Sequence, residues 1–118
     1  MSETRPDLRA TQRYSLRLAA EVVTPAASVE GVTRDISAGG VCVELDRLLV
    51  EGEIVELKLF IVEDDIESTD GRVLSFAARV QWATEGDRSY AHGLKFEAPP
   101  ADKVQMLENA LRVIAASQ

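Results

Sequence analysis

Between Arg17 and Glu97 the chain is cut into six short β-rich runs by glycine, proline and acidic breaks, and this punctuation limits the fold more than any other feature. The runs are Arg17–Thr24, closed by Pro25; Glu30–Ile36; Val41–Leu45; Glu53–Val62; a long strand within Gly71–Thr84, clearest over Ala77–Ala83; and Ser89–Glu97. In E-I-V-E-L-K-L-F-I-V, Ile54, Glu56 and Lys58 oppose Val55, Leu57 and Leu59, the period-two pattern of a half-buried strand. Short strands at this spacing specify an antiparallel barrel or sandwich. Pro99-Pro100 then ends the sheet, and Ala101–Ala116 carries Val104, Leu107, Leu111 and Ile114 on one helical face, with Asp102 and Glu108 on the other. That stripe suits a helix packed on the sheet, and equally a dimer or partner surface.

At 118 residues the chain can bury one modest core. The expected organisation is a flexible arm over residues 1–12 and a single domain over 13–118, with the barrel at about 17–97 and the helix at about 101–116. No run is long and apolar enough for a membrane span or a signal peptide, and lone Cys42 has no disulfide partner, so the expected compartment is the cytoplasm. The net charge of −7 disfavours a general DNA or RNA binder. Its distribution is uneven: residues 1–17 set four arginines against Glu3 and Asp7, a net +2, so the rest carries −9. A small basic arm on an acidic body fits a compact dianion better than a long polyanion.

Two motifs give the arm chemical meaning. R-Y-S-L-R places Arg13 and Arg17 four residues apart, and D-I-S-A-G-G supplies Asp35, Ser37, Gly39 and Gly40 at a turn between two β runs. Guanidinium forks pair with phosphate oxygens or with the O6/N7 edge of guanine, while a carboxylate accepts from guanine's other edge. Asp35 and Ser37, two apart on an extended chain, are expected on one outer face with Ile36 turned into the core. Gly39 and Gly40 are expected to remove side chains where a purine approaches. Alone, each motif is commonplace: arginines on a solvated surface, and an Asp/Ser/Gly turn. Both are complete here, in order, with 17 residues between Arg17 and Asp35.

In that combination the chain resembles the PilZ domain family, bacterial receptors for cyclic di-GMP. Arg13 and Arg17 match the family's RxxxR motif; Asp35, Ser37 and Gly40 match (D/N)xSxxG. R-V-Q-W followed by H-G-L-K-F is similar to its usual ending. The resemblance implies a six-stranded antiparallel β-barrel with a C-terminal helix, and a binding rather than catalytic role. It implies cyclic di-GMP as ligand, held by Arg13, Arg17, Asp35, Ser37, Gly39 and Gly40, with no other cofactor. Gln12 stands where members often carry another arginine, which favours one ligand per chain; Arg9 is the cation that can replace it. Ordering of the arm on ligand binding would signal to a separate protein in motility, pilus, flagellar or exopolysaccharide control. A monomer or weak dimer is expected. The alternative is a scaffold of the same fold with weak or no nucleotide binding.

Other candidates carry less. Cys42, between Val41 and Val43, reads as a buried apolar thiol. His92, the single histidine, has no ligand companions and is expected to be exposed near a strand end. Trp82 reads as core, with ligand stacking as a second reading. Glu63, Asp64, Asp65 and Glu67 lack the spacing of a calcium loop and read as a solvated loop. No Walker loop, nucleophile elbow or zinc signature is present, so no catalytic residue and no metal site is expected.

Overall fold

The computed structural model describes residues 13–61 and 72–116. Residues 1–12, with Arg9 and Gln12, and the acidic stretch 63–70 lie outside the described residues, as do the calls made on them. Six strands are present: β1 Ala19–Val23, β2 Ser28–Ile36, β3 Gly40–Leu45, β4 Ile54–Ile61, β5 Arg72–Glu85 and β6 Tyr90–Phe96, followed by helix α1, Ala101–Ala116. They close into an antiparallel barrel in the order β1-β2-β3-β6-β5-β4. The expected architecture holds, with strand ends moved by a residue or two. Closure pairs β1 with β4, so neither strand is left as an edge.

Alternation fills the interior. Val55, Leu57, Leu59 and Ile61 of β4 and Leu74, Phe76, Ala78 and Val80 of β5 are buried, and join Val22, Val29, Val41, Val43, Leu45, Leu94 and Phe96 in one cluster. Phe76 and Phe96 stack with ring centroids 4.3 Å apart. Helix α1 closes one end of this cluster with Leu107, Ala110 and Leu111. Lys103 fixes its first turns, donating from Nζ to the Ser75 carbonyl at 2.7 Å and lying 5.9 Å from the Phe76 centroid. Ala98 takes a positive φ of 43° where the chain turns from β6 into the helix.

Two bulges break the alternation, and both lie beside the motifs. In β2 the register with β3 passes from Thr33↔Val43 to Asp35↔Cys42, leaving Arg34 as the extra residue. Val29 and Thr33 face inward before it and Ile36 after it, so the bulge turns Asp35 outward. In β5 the register with β6 passes from Val80↔Leu94 to Trp82↔Gly93, leaving Gln81 as the extra residue. Trp82 is thereby turned out of the barrel and is 43% exposed.

Three expectations therefore need correcting. Trp82 is not core, because the Gln81 bulge reverses its side. His92 is fully buried, because it alternates inward with Leu94 and Phe96 and pairs with inward-facing Val43. Ser37 does not share Asp35's outer face: it is 1% exposed, because the chain has already begun its turn.

Candidate functional site

The R-Y-S-L-R segment is laid along the barrel by bonds the protein makes itself. Tyr14 forms a two-way bridge with Ile36, donating to its carbonyl at 2.7 Å and accepting from its N–H at 2.9 Å. Leu16 is buried in the core cluster, and Tyr14 packs against it. Thr33 anchors the far side: its buried hydroxyl accepts from Leu18 N–H at 2.8 Å and donates to the Leu16 carbonyl at 2.7 Å. With Leu16 turned in, the extended chain turns Arg13 and Arg17 outward. No sequence motif singled out Thr33, though a threonine at an inward strand position is a polar group that needs such partners.

The two arginines meet different carboxylates. Arg13 Nε lies 3.2 Å from Asp35 Oδ1. Arg17 Nη2 lies 3.5 Å from Glu44 Oε1, and Arg34 of the bulge lies 3.2 Å from Glu44 Oε2. All three guanidiniums are more than half exposed, so each pair is worth about 0–1 kcal/mol and is readily exchanged for a stronger anion. Asp35 Oδ1 is out of solvent, yet among the described residues no N–H is aligned on it as a hydrogen bond. The carboxylate thus has charge compensation from Arg13 at that oxygen, while the side chain as a whole stays partly exposed and can accept from a further donor.

The turn after Asp35 is built for rigidity. Ser37 Oγ accepts from Gly39 N–H at 3.2 Å and contacts the Gly40 carbonyl at 3.4 Å, while Ser37 N–H donates to that carbonyl at 2.8 Å. The Gly39 carbonyl accepts from Phe96 N–H at 3.0 Å. A Cβ on Gly40 would overlap the Leu94 carbonyl oxygen and lie 3.3 Å from Lys95 Cα. The room made by Gly40 is taken up by strand β6, so its first duty is strand contact rather than space for a purine.

Across the barrel wall, register aligns Asp35 of β2, Cys42 of β3, Gly93 of β6 and Trp82 of β5 in one row. Three interstrand spacings make that row about 14 Å long. Cys42 faces outward at its floor, buried but absent from the core cluster. Burial, and then the Asp35 charge, pushes its thiol pKa up, which makes it a poor nucleophile. At the far end a Cβ on Gly93 would overlap Nε1 and Cε2 of Trp82, so the five-membered ring of the indole rests directly on the glycine backbone. A depression of about 290 Å3 lies at the Gly93–Trp82 end of this row, lined by Arg13, Ser37, Gly40, Trp82, Gly93 and Lys95 among others. A neighbouring hollow of about 440 Å3 sets Glu44, Glu85 and Asp87 against Arg34 and Arg88, with Glu44 already paired to Arg17 and Arg34. The structure therefore brings Arg13, Ser37, Gly39 and Gly40 to one depression; Asp35 does not line it but is tied to it through Arg13, and Arg17 lies further along β3 at Glu44.

His92 serves structure. Its Nε2 accepts from Leu49 N–H at 3.0 Å, which places the proton of the neutral ring on Nδ1. Burial lowers its pKa below 6.5. Among the described residues no cluster of three or more His, Cys, Asp or Glu can hold a metal ion, and no helix is long and apolar enough to cross a membrane.

These features define a small closed β-barrel with a self-docked arginine segment and an outward carboxylate beside a glycine turn. A family model described as "PilZ domain" matches residues 7–112, and the chain belongs to that family. A search of curated proteins returns no match. Among solved structures, the chain is similar to the Bacillus subtilis inhibitor of motility MotI/DgrA, at 20% identity and TM-score 0.71, covering 86% of this chain and 49% of that one. It is similar to Escherichia coli YcgR in complex with c-di-GMP, at 14% identity and TM-score 0.70, covering 91% and 46%. The PilZ domain of YcgR with c-di-GMP aligns at 15% identity and TM-score 0.65, covering 91% and 88%. The chain thus spans about half the length of the first two.

Proposed function

We propose that this domain is a receptor for cyclic di-GMP, non-catalytic and acting in the cytoplasm. The observation that carries the reading is the pair of Arg13 and outward Asp35, 3.2 Å apart and partly exposed, with Arg13 lining an open depression. A guanine N1–H or N2–H donates to the exposed side of that carboxylate, and Arg13 and Arg17 exchange weak carboxylate contacts for phosphates or for the guanine O6/N7 edge. Trp82 offers its exposed ring face to a base. Ser37, Gly39 and Gly40 hold the turn that presents Asp35. The YcgR structures with c-di-GMP support the choice of ligand.

Residues 13–118 act as one unit in this reading. Residues 13–18 are docked by the protein's own hydrogen bonds, and in this reading Arg9 can add charge toward the ligand where Gln12 does not. One ligand per chain follows. The ligand-bound surface is read by a separate protein in motility, pilus or exopolysaccharide control, and the kinship with an inhibitor of motility favours the first. Isothermal calorimetry tests the proposal: binding at micromolar or tighter, with cyclic di-AMP and GMP rejected, is expected. A flat trace at ligand concentrations far above the protein refutes it and leaves the scaffold of the same fold.

A further inference from the structure

Besides Arg13, the depression is lined by one further cation, Lys95. Outward positions on β6 run Ala91, Gly93, Lys95, so Lys95 stands about 7 Å along the strand from the glycine on which Trp82 rests. Its strand neighbours are Gly40, which has no side chain, and Arg79, which is engaged by Glu97 Oε2 at 3.2 Å and the Gly52 carbonyl at 3.2 Å. Among the described residues no carboxylate is paired with Lys95, whereas Arg13 on the opposite wall is paired with Asp35. The depression therefore has an exposed indole as floor and an unneutralised ammonium on a four-carbon stem at its edge.

We infer that Lys95 reads the acceptor edge of a purine stacked on Trp82, making this end of the site selective for guanine. The inference rests on the receptor reading above. Guanine presents two acceptors there, O6 and N7; adenine presents N7 beside an N6 donor. An ammonium is donor-only, so it satisfies both guanine atoms and leaves the adenine amino group facing a like donor. The row from Asp35 to Trp82, about 14 Å long, is too long for one base to touch both ends. Asp35 and Lys95 then read the two bases of one dinucleotide from opposite edges, the first through donors and the second through acceptors.

The mixed cyclic GMP–AMP dinucleotide separates this role from general charge attraction. It must place its adenine either at Asp35 or over Trp82, and the parent protein penalises both. Calorimetry on the full chain should show the parent preferring cyclic di-GMP over the hybrid by about tenfold. Lys95→Met should weaken cyclic di-GMP about tenfold and bring the two affinities within about twofold, while Lys95→Arg keeps most of the preference. Thermal midpoints should not move, since Lys95 is exposed. If Lys95→Met weakens both ligands equally, or neither, the guanine-reading role is overturned while the receptor reading stands. If the parent binds neither dinucleotide, both fall.

Discussion

The contact between Trp82 and Gly93 can be broken by a single methyl group. In Gly93→Ala the new Cβ would overlap Nε1 and Cε2 of the indole and lie 2.8 Å from Cδ1. Ordinary carbon contacts begin near 3.5 Å, so the ring must lift by about an ångström or more. The strand backbone cannot yield, because Gly93 sits between β3 and β5 in the middle of the wall. The ring can, since its other face is open. The expected cost is about 1–2 kcal/mol: overpacking strain and lost ring contact, less the few tenths recovered by replacing a strand glycine. Trp82 is the single tryptophan, so its fluorescence reports this event alone. Urea unfolding should show a lower midpoint with unchanged slope, and the folded-state emission should shift to the red. The same substitution in a Trp82→Ala background should cost less than about 0.5 kcal/mol, giving a coupling of 1 kcal/mol or more. Equal costs in the two backgrounds would refute the contact, and with it the base platform.

Gly40→Ala should cost more than Gly93→Ala, about 3 kcal/mol or above, because the obstacle is the Leu94 carbonyl of the neighbouring strand rather than a movable ring; chemical denaturation of the two variants side by side checks the order. Thr33→Val should free the Leu16–Leu18 segment at a cost of about 1–3 kcal/mol, and limited proteolysis should then cut near Arg17 faster than in the parent. His92 is held neutral with a pKa below 6.5, so the unfolded chain takes up its proton first as pH falls. Stability that is full above about pH 6.5 should decline below it by up to 1.4 kcal/mol per unit, and thermal melts of His92→Gln should lose that part of the slope. Arg13→Ala should abolish measurable cyclic di-GMP binding while moving the thermal midpoint by less than about 2 °C, since its pair with Asp35 is surface-exposed; unchanged calorimetry would remove Arg13 from the site.

The barrel was legible because its signals are local. Proline and glycine breaks, and period-two alternation in β4 and early β5, give the strands, and a clean 3.6-residue stripe gives α1 to the residue. Arg13, Asp35 and the glycine turn were legible as a motif. What the residues alone did not give was side. Alternation extended through β5 puts Trp82 with Leu74, Phe76, Ala78 and Val80, and only the extra residue Gln81 sends it outward; nothing in A-A-R-V-Q-W marks the bulge. His92 is the opposite case. S-Y-A-H-G-L-K-F alternates it with Leu94 and Phe96, and that inward phase outweighs the usual preference of histidine for the surface. Glu44, Thr33 and Lys95 enter only through pairing across strands, which a single sequence does not display.

The two bulges bear on how such a site changes over time. The outward aim of Asp35 and Trp82 depends on Arg34 and Gln81 staying out of the regular ladder. Drawing either extra residue into the pairing would swing those that follow to the other side, driving a carboxylate into the barrel and Ile36 into water. Losing the extra residue outright would leave the pattern whole: Thr33 in and Asp35 out, Val80 in and Trp82 out, would then alternate without a bulge. Descendants of this chain can therefore shed a residue at either place and straighten the strand while the ligand groups keep their side.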